Sequence, residues 1–264
     1  MRPLSTRGVV ACLGSLADRP YFVLVIGAAS GIGMAAAEYL AQRSVTVGCL
    51  DRNAAGAAAV AERISSSGGR SLSAACDVTE MASVTDAVAA AMADFGRIDG
   101  VVNCAGVTGR TNLRAHEVDL DDFDLVYRIN LRGALLVSQA VLPIMLAQNY
   151  GRLLHVASIA GKEGNAAMAA YSASKAGLIG LVKSMAKDYA ESGITINALA
   201  PAVIQTPMVD QLPQATVDYM TQKIPMRRLG TLNEVAAMIA WIISPECSFS
   251  TGFTFDLTGG RATY

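Results

Sequence analysis

What the chain has least of is charge and aromatic area. Only 16% of its 264 residues are Asp, Glu, Lys or Arg and 6% are Phe, Trp or Tyr, against 52% hydrophobic residues. Acidic and basic side chains almost cancel, to a formal net charge of −1, and no long basic run occurs. This excludes nucleic-acid or anionic-membrane binding by bulk electrostatics. Histidine is nearly absent; His116 and His155 show no ligand spacing, so no metal site is expected, and His155 reads as a core residue. The cysteines, Cys12, Cys49, Cys76, Cys104 and Cys247, are odd in number and never form a C-x-x-C pair. Cys49, Cys76 and Cys104 lie in or beside apolar runs and read as buried free thiols in a reducing compartment. No apolar run approaches the roughly 18 residues of a membrane span. Residues 1–20 have an Arg-bearing start and a short apolar patch, two features of a signal peptide. The patch is weak and a strand–glycine motif follows at once, so this stretch is read as an N-terminal extension of a cytoplasmic protein.

Ala, Val, Leu, Ile and Gly dominate what is present, which favours close helix-on-sheet packing over a β-sandwich. Apolar runs at 21–27, 45–51, 71–77, 100–106, 151–158 and 193–200 read as strands. Helical stretches separate them, including one over 81–95 and a long one over about 120–148. Nearly continuous apolar strands, each followed by a helix, indicate a parallel sheet covered on both faces. The expected fold is therefore α/β, a three-layer doubly wound parallel sheet (Rossmann-like), as a single domain over 21–264. Pro201, Pro207, Pro213 and Pro225 break the rhythm, so 201–225 is expected to be a lid-like loop with a short helix. A helix at 232–243 and a strand around 252–257 close the domain.

The stretch "VIGAASGIG" places Gly27, Gly31 and Gly33 between the first strand and its helix. Such glycines allow a tight turn and close approach of helix N-terminal N–H groups to a pyrophosphate, although a plain strand–helix turn has the same pattern. Asp51, at the end of the second strand, can accept from an adenosine ribose 2′-OH and would repel a 2′-phosphate. This favours NAD over NADP, with adjacent Arg52 as the residue that could reverse the preference. Asp77 can bond the adenine amino group or cap the next helix. Tyr171 and Lys175 stand one helical turn apart in "YSASK". A free Tyr, with a pKa of about 10, is a poor base near neutrality, and an adjacent cation lowers that value. Ser158, at the end of the fifth strand, can hold a substrate oxygen as charge develops on it.

Taken in order, the glycine turn, Asp77-Val78, "NCAG" at 103–106, Asn130, Ser158, "YSASK" at 171–175 and "PAVIQTPM" at 201–208 resemble the short-chain dehydrogenases/reductases. The resemblance runs from about residue 21 to the C-terminus. It implies a nicotinamide cofactor, a tetramer or dimer, and a catalytic set of Asn130, Ser158, Tyr171 and Lys175. Lys175 would also bond the nicotinamide ribose, and Asn130 would support a water leading to solvent. Carried residue by residue, it implies cofactor contacts from Gly27, Ser30, Gly31, Ile32 and Gly33, then from Asp51, Arg52, Asp77 and Val78. Asn103, Ala105 and Gly106 follow, with Tyr171 and Lys175, and finally Pro201, Val203, Ile204 and Thr206. Three positions depart from the family pattern: Ile26 replaces a Thr whose hydroxyl would support the "NCAG" loop, Cys104 replaces an Asn, and Ala202 replaces a Gly.

The substrate is expected to meet Ser158, Lys162, Asn165, Tyr171, Gln205 and Arg261, a polar set that suits a hydroxylated or carboxylated small molecule. Lys162 and Glu163 also read as solvated turn residues. In tetrameric relatives such a C-terminal tail can reach a neighbouring subunit, where Arg261 could grip a carboxylate. The pattern is similar to NAD-dependent 2-keto-3-deoxy sugar acid dehydrogenases. The alternatives are a 3-oxoacyl thioester reductase, which would sit badly with Asp51, and a non-catalytic NAD-binding scaffold or redox sensor. The stripe Leu178, Leu181, Val182 and Met185, beside small Ala173, Ser174, Ala176 and Gly177, suits helix pairing between subunits or packing within the chain.

Overall fold

The computed structural model describes residues 20–206, 209, 213–262 and 264. The extension reading for 1–20, Cys12, and Pro207 and Met208 of the "PAVIQTPM" motif therefore fall almost wholly outside the described residues. Seven parallel strands, β1 (Phe22–Ile26), β2 (Thr46–Asp51), β3 (Ser71–Ala75), β4 (Gly100–Asn103), β5 (Gly151–Val156), β6 (Ile194–Pro201) and β7 (Thr254–Leu257), form one sheet in the order β3-β2-β1-β4-β5-β6-β7. β1, β5 and β6 are buried along their whole length, as strands covered on both faces must be.

Two apolar clusters lie on the two faces of this sheet. Leu24, Ile26, Val101 and Leu153 point into one, with α3 (Met81–Phe95), α5 (Gly133–Gln148) and α7 (Ala169–Asp188). Val23, Val25, Val102 and Leu154 point into the other, with α1 (Gly31–Ala41), α2 (Ala54–Ser66) and α9 (Leu232–Ile242). The alternation along β1 is the period of two that a strand imposes. Leu178, Val182 and Met185 of the α7 stripe are buried within their own chain, whereas Ala173, Ala176 and Gly180 remain exposed.

The long helix expected over 120–148 is divided. α4 (Leu120–Tyr127) passes through a π turn at Arg128–Arg132 before α5 begins. The wider turn carries Asn130 into the interior, where it is 2% exposed; residue insertions of this kind cluster at functional sites. The continuous span Leu120–Gln148 is also long and apolar enough to cross a membrane, with a mean hydropathy of 1.5 in its best window. That corrects the reading that no apolar run approaches the length of a membrane span. Because 56% of the window is buried inside the protein, it serves here as a core helix. A short helix, α6 (Ala160–Glu163), follows β5, and α8 (Gln214–Gln222) lies within the proline-rich segment.

The sharpest steric demand is at the start of α1. Gly27 and Gly31 hold φ values of +83° and +53°, the left-handed region that favours glycine. A Cβ on Gly33 would overlap the Gly27 carbonyl group. Gly33→Ala is therefore expected to lower stability by about 1–3 kcal/mol through backbone displacement, and an unchanged urea-denaturation midpoint would refute this close approach.

Candidate active site

Strand order reverses between β1 and β4, so the connections from their carboxyl ends part to opposite faces and leave a crevice. A cleft of about 480 Å³ opens there. Its wall contains Gly27, Ser30, Gly31, Ile32 and Gly33 from the glycine turn and the helix start, Asp51 at the end of β2 with Arg52 just beyond it, and Asp77 and Val78 beyond β3. Ala105, Gly106 and Thr206 complete the expected part of the wall. Ile26, Cys76, Cys104, Val107 and Ile129 also line it and were missed, because apolar and thiol side chains carry no chemical signature. Their adjacency to Gly27, Asp77, Ala105, Gly106 and Asn130 was the available signal. Asn103, Tyr171, Lys175, Pro201, Val203 and Ile204, also expected at the cofactor, are not part of this wall; the Pro201 and Val203 carbonyls accept from the Ile159 and Gly230 N–H groups, at 3.0 and 3.1 Å, and Ile204 is buried in a bridge to Gly230.

Asp51 is held by its neighbours. Its Oδ2 accepts from the Ala29 N–H at 3.0 Å and its Oδ1 from the Asn53 N–H at 2.8 Å. Those bonds aim the carboxylate along the cleft and leave lone pairs for another donor. Asp77 accepts from the N–H and hydroxyl of Thr79, at 2.9 and 2.8 Å, which together with nearby Arg52 holds its carboxyl below the usual range. It does not cap α3, whose N-cap position is Glu80. The loop at 103–106 is tied to β1 by the Cys104 N–H on the Ile26 carbonyl at 2.8 Å. A glycine turn with no room for a Cβ at Gly27 or Gly33, a helix N-terminus and a fixed carboxylate together fit a dinucleotide.

The catalytic candidates converge from four elements. Ser158 lies two residues past the end of β5, not on the strand itself; its Oγ accepts from the Ala160 N–H at 3.1 Å. Ser158 also hydrogen-bonds Tyr171, which favours the phenolate, but burial outweighs this and raises the phenol pKa. The Lys175 Nζ sits 5.8 Å from the Tyr171 ring centroid and donates to the Val156 carbonyl at 2.7 Å. Burial pushes the ammonium down to about 8. The expectation that Lys175 sets the Tyr171 pKa is thus corrected: desolvation dominates, and drives both groups toward their neutral forms. Asn130 clamps the loop after β4, accepting from the Val107 N–H at 2.8 Å and donating to the Val107 carbonyl at 2.9 Å and to Ser174 Oγ at 3.0 Å.

The expected substrate residues are largely engaged in hydrogen bonds and ion pairs within the chain. Lys162 bonds Asp256 Oδ2 at 2.7 Å and the Tyr264 carbonyl, while the Tyr264 hydroxyl donates to the Lys162 carbonyl at 2.7 Å. Arg261 bonds Glu163 and Asn165, each at 2.9 Å. Lys162 and Glu163 are thus ion-paired rather than solvated, and the tail folds onto residues 162–165 of its own chain. Gln205 is anchored through its N–H on the Gly230 carbonyl at 2.8 Å. These cations face acidic partners far away in sequence, which motif spacing could not reveal.

A family model described as enoyl-(acyl carrier protein) reductase matches residues 27–261. The chain belongs to the short-chain dehydrogenases/reductases. It is 43% identical over 241 residues to 2-dehydro-3-deoxy-L-rhamnonate dehydrogenase (NAD(+)) of Sphingomonas sp., covering 91% of this chain and 95% of that protein. It is 36% identical to the 3-oxoacyl-(acyl-carrier-protein) reductase FabG of Thermotoga maritima, covering 90% and 96%. The crystal structure of NAD+-bound xylitol dehydrogenase matches with a TM-score of 0.87 and 33% identity, covering 91% of this chain and 98% of that one.

In this dehydrogenase the folded pKa of Lys175 lies near 8, below the ordinary 10.5. The unfolded chain therefore holds that proton more tightly, and the native-state penalty is present below about pH 8 and relieved as pH rises toward 10.5. The penalty amounts to about 3 kcal/mol, offset by about 1–2 kcal/mol for an orphaned Val156 carbonyl when the amine is removed. Lys175→Met is expected to gain about 1–2 kcal/mol of stability at pH 7. A thermal midpoint at or below wild type would contradict a costly buried ammonium.

Proposed function

We propose that this enzyme is an NAD-dependent dehydrogenase that interconverts a secondary hydroxyl and a ketone on a 2-keto-3-deoxy sugar acid or a closely related polyhydroxy compound. The observation that carries the reading is one arrangement: Ser158, Tyr171 and Lys175 beside a dinucleotide cleft whose acidic end is Asp51. The 43% identity to an NAD-dependent deoxy sugar acid dehydrogenase along nearly the whole chain supports the substrate class. Nicotinamide, when bound, supplies the acceptor for the hydride that leaves the substrate carbon.

The chain's own residues handle the proton. Ser158 holds the substrate hydroxyl and supports the charge that grows on its oxygen. Tyr171 takes the hydroxyl proton during oxidation and returns it during reduction. Because burial raises its pKa, the phenol is the resting form, so oxidation gains from rising pH and reduction does not. Lys175, while protonated, favours the transient phenolate. Asn130 keeps the loop after β4 pressed against α7.

A second reading, a 3-oxoacyl thioester reductase, is favoured by the family-model description and the Thermotoga maritima relative. Asp51 argues against the NADPH that such a reductase would need. Turnover of deoxy sugar acids, polyols and 3-oxoacyl thioesters with NAD and NADP decides between them. Oxidation of the sugar acid with NAD is expected, at least about tenfold faster than with NADP, and Asp51→Ala should erase that preference. Tyr171→Phe should cost about a thousandfold in turnover and leave NAD binding intact. Thioester reduction with NADPH as the dominant activity would overturn the reading.

The working unit we propose is a cytoplasmic homotetramer or homodimer, with residues 201–225 as a lid over the substrate. Two separate exposed apolar surfaces support assembly. One carries Trp241, Phe249 and Phe253 beside the edge strand β7; the other combines Leu120, Leu125 and Tyr127 of α4 with the small face of α7. The buried free thiols Cys49, Cys76 and Cys247 suit a reducing compartment. Light scattering is expected to give the mass of four chains, or of two, and a single-chain mass would refute assembly.

A further inference from the structure

Beneath the cleft lies a line of buried polar groups that the proton chemistry does not use. Asn103 and His155 are register partners on the adjacent strands β4 and β5. Their side chains meet with Asn103 Nδ2 3.2 Å from His155 Nδ1. His155 Nε2 lies 3.1 Å from Ser138 Oγ on α5, and that hydroxyl donates to the Ala134 carbonyl at 2.8 Å. At the other end, Asn103 Oδ1 accepts from the Ala105 N–H at 3.2 Å. Asn103, Ser138 and His155 are 4%, 1% and 0% exposed.

Each link permits one direction. The Ala105 N–H can only donate, so Asn103 presents its oxygen there and its amide nitrogen to the ring. That nitrogen also only donates, so Nδ1 must be an unprotonated acceptor. The ring proton then resides on Nε2 and is given to Ser138, whose own proton goes to Ala134. An imidazolium would set N–H against N–H at Asn103. The charged group acting on the ring is Lys175 of α7, held on the next residue's carbonyl, and with burial it pushes His155 down to about 3.

The loop that this line holds has no slack. A Cβ on Gly27 would come within 2.9 Å of Ala105 N, and one on Gly106 within 3.2 Å of Asn130 Oδ1 and 3.3 Å of Lys175 Nζ. A rotation of the Asn103 amide would therefore be felt at the glycine turn and at the catalytic amine together. Ile26 offers the loop a backbone carbonyl but no side-chain donor or acceptor. We propose that His155 is a positioning residue for the cofactor: as the neutral Nε2–H tautomer it orients Asn103, and thereby the 103–106 loop, against the dinucleotide.

The inference rests on the cofactor reading above, and its test separates the two. The chain has two histidines, so ¹⁵N-histidine spectra are simple to assign. Without added dinucleotide, the His155 ring is expected as the Nε2–H tautomer, unchanged from about pH 5.5 to about pH 8.5; saturating NAD should shift it. His155→Leu is expected to raise the NAD Kd about tenfold, and His155→Gln, which can both accept and donate, to recover most of the loss. A titrating ring, an Nδ1–H tautomer, or a folded His155→Leu protein with wild-type NAD affinity would overturn the proposal. If His155→Leu does not fold, Ser138→Ala decides: a rise of about threefold in the NAD Kd supports the line, and no rise refutes it. Wild-type protein that binds no NAD would instead fail the cofactor reading.

Discussion

Lys175 must be kept in the interior close to Tyr171, and much of the site's architecture serves that demand. An ammonium loses its hydration there, and its pKa falls accordingly. The protein offers one strong acceptor, the Val156 carbonyl at the end of β5, and closes the space around it with residues that lack side-chain bulk. Gly106 faces Nζ, and Gly161 lies where a Cβ would strike the backbone of Lys175 itself. A packed helix, a strand end, the glycine-bearing loop after β4 and the short helix α6 are therefore placed relative to a single amine.

The same demand explains why the helical layer on that face is irregular. A regular helix through 120–148 would give Asn130 no special direction. The π turn rotates it toward Val107 and Ser174, so that the loop after β4 is clamped from the α7 side. From below, Asn103 holds that loop through His155 and Ser138; from the β1 side, the Cys104 N–H grips the Ile26 carbonyl. Three independent supports converge on the five residues 103–107. A hydride transfer depends steeply on distance and angle, and rigid support of this kind supplies the orientation.

Much of this was legible in the residues. The glycine turn, Asp51 and the Tyr171–Lys175 spacing are local patterns, each carried by a few consecutive residues whose roles follow from backbone sterics or side-chain chemistry. Strand and helix positions followed from hydrophobic period, and α3 occupies the range expected for it. The π turn was not legible, because "RINLR" has no composition that separates it from a regular turn. Nor was the tail clasp: Lys162 and Arg261 looked available to substrate until Asp256 and Glu163 were seen opposite them.

The sequence by itself determined the layered α/β fold, the glycine turn and the residue types at the candidate site, because these depend on short-range periodicity and on chemistry that few side chains can perform. Only the tertiary structure decided the charge states and the division of labour. Burial, which no local pattern reports, raises Tyr171 and lowers Lys175. Long-range pairing takes Lys162 and Arg261 for the fold, and gives the core residue His155 a task at the cofactor loop. Those outcomes depend on which groups meet across the sheet, where desolvation and hydrogen-bond direction set the energy.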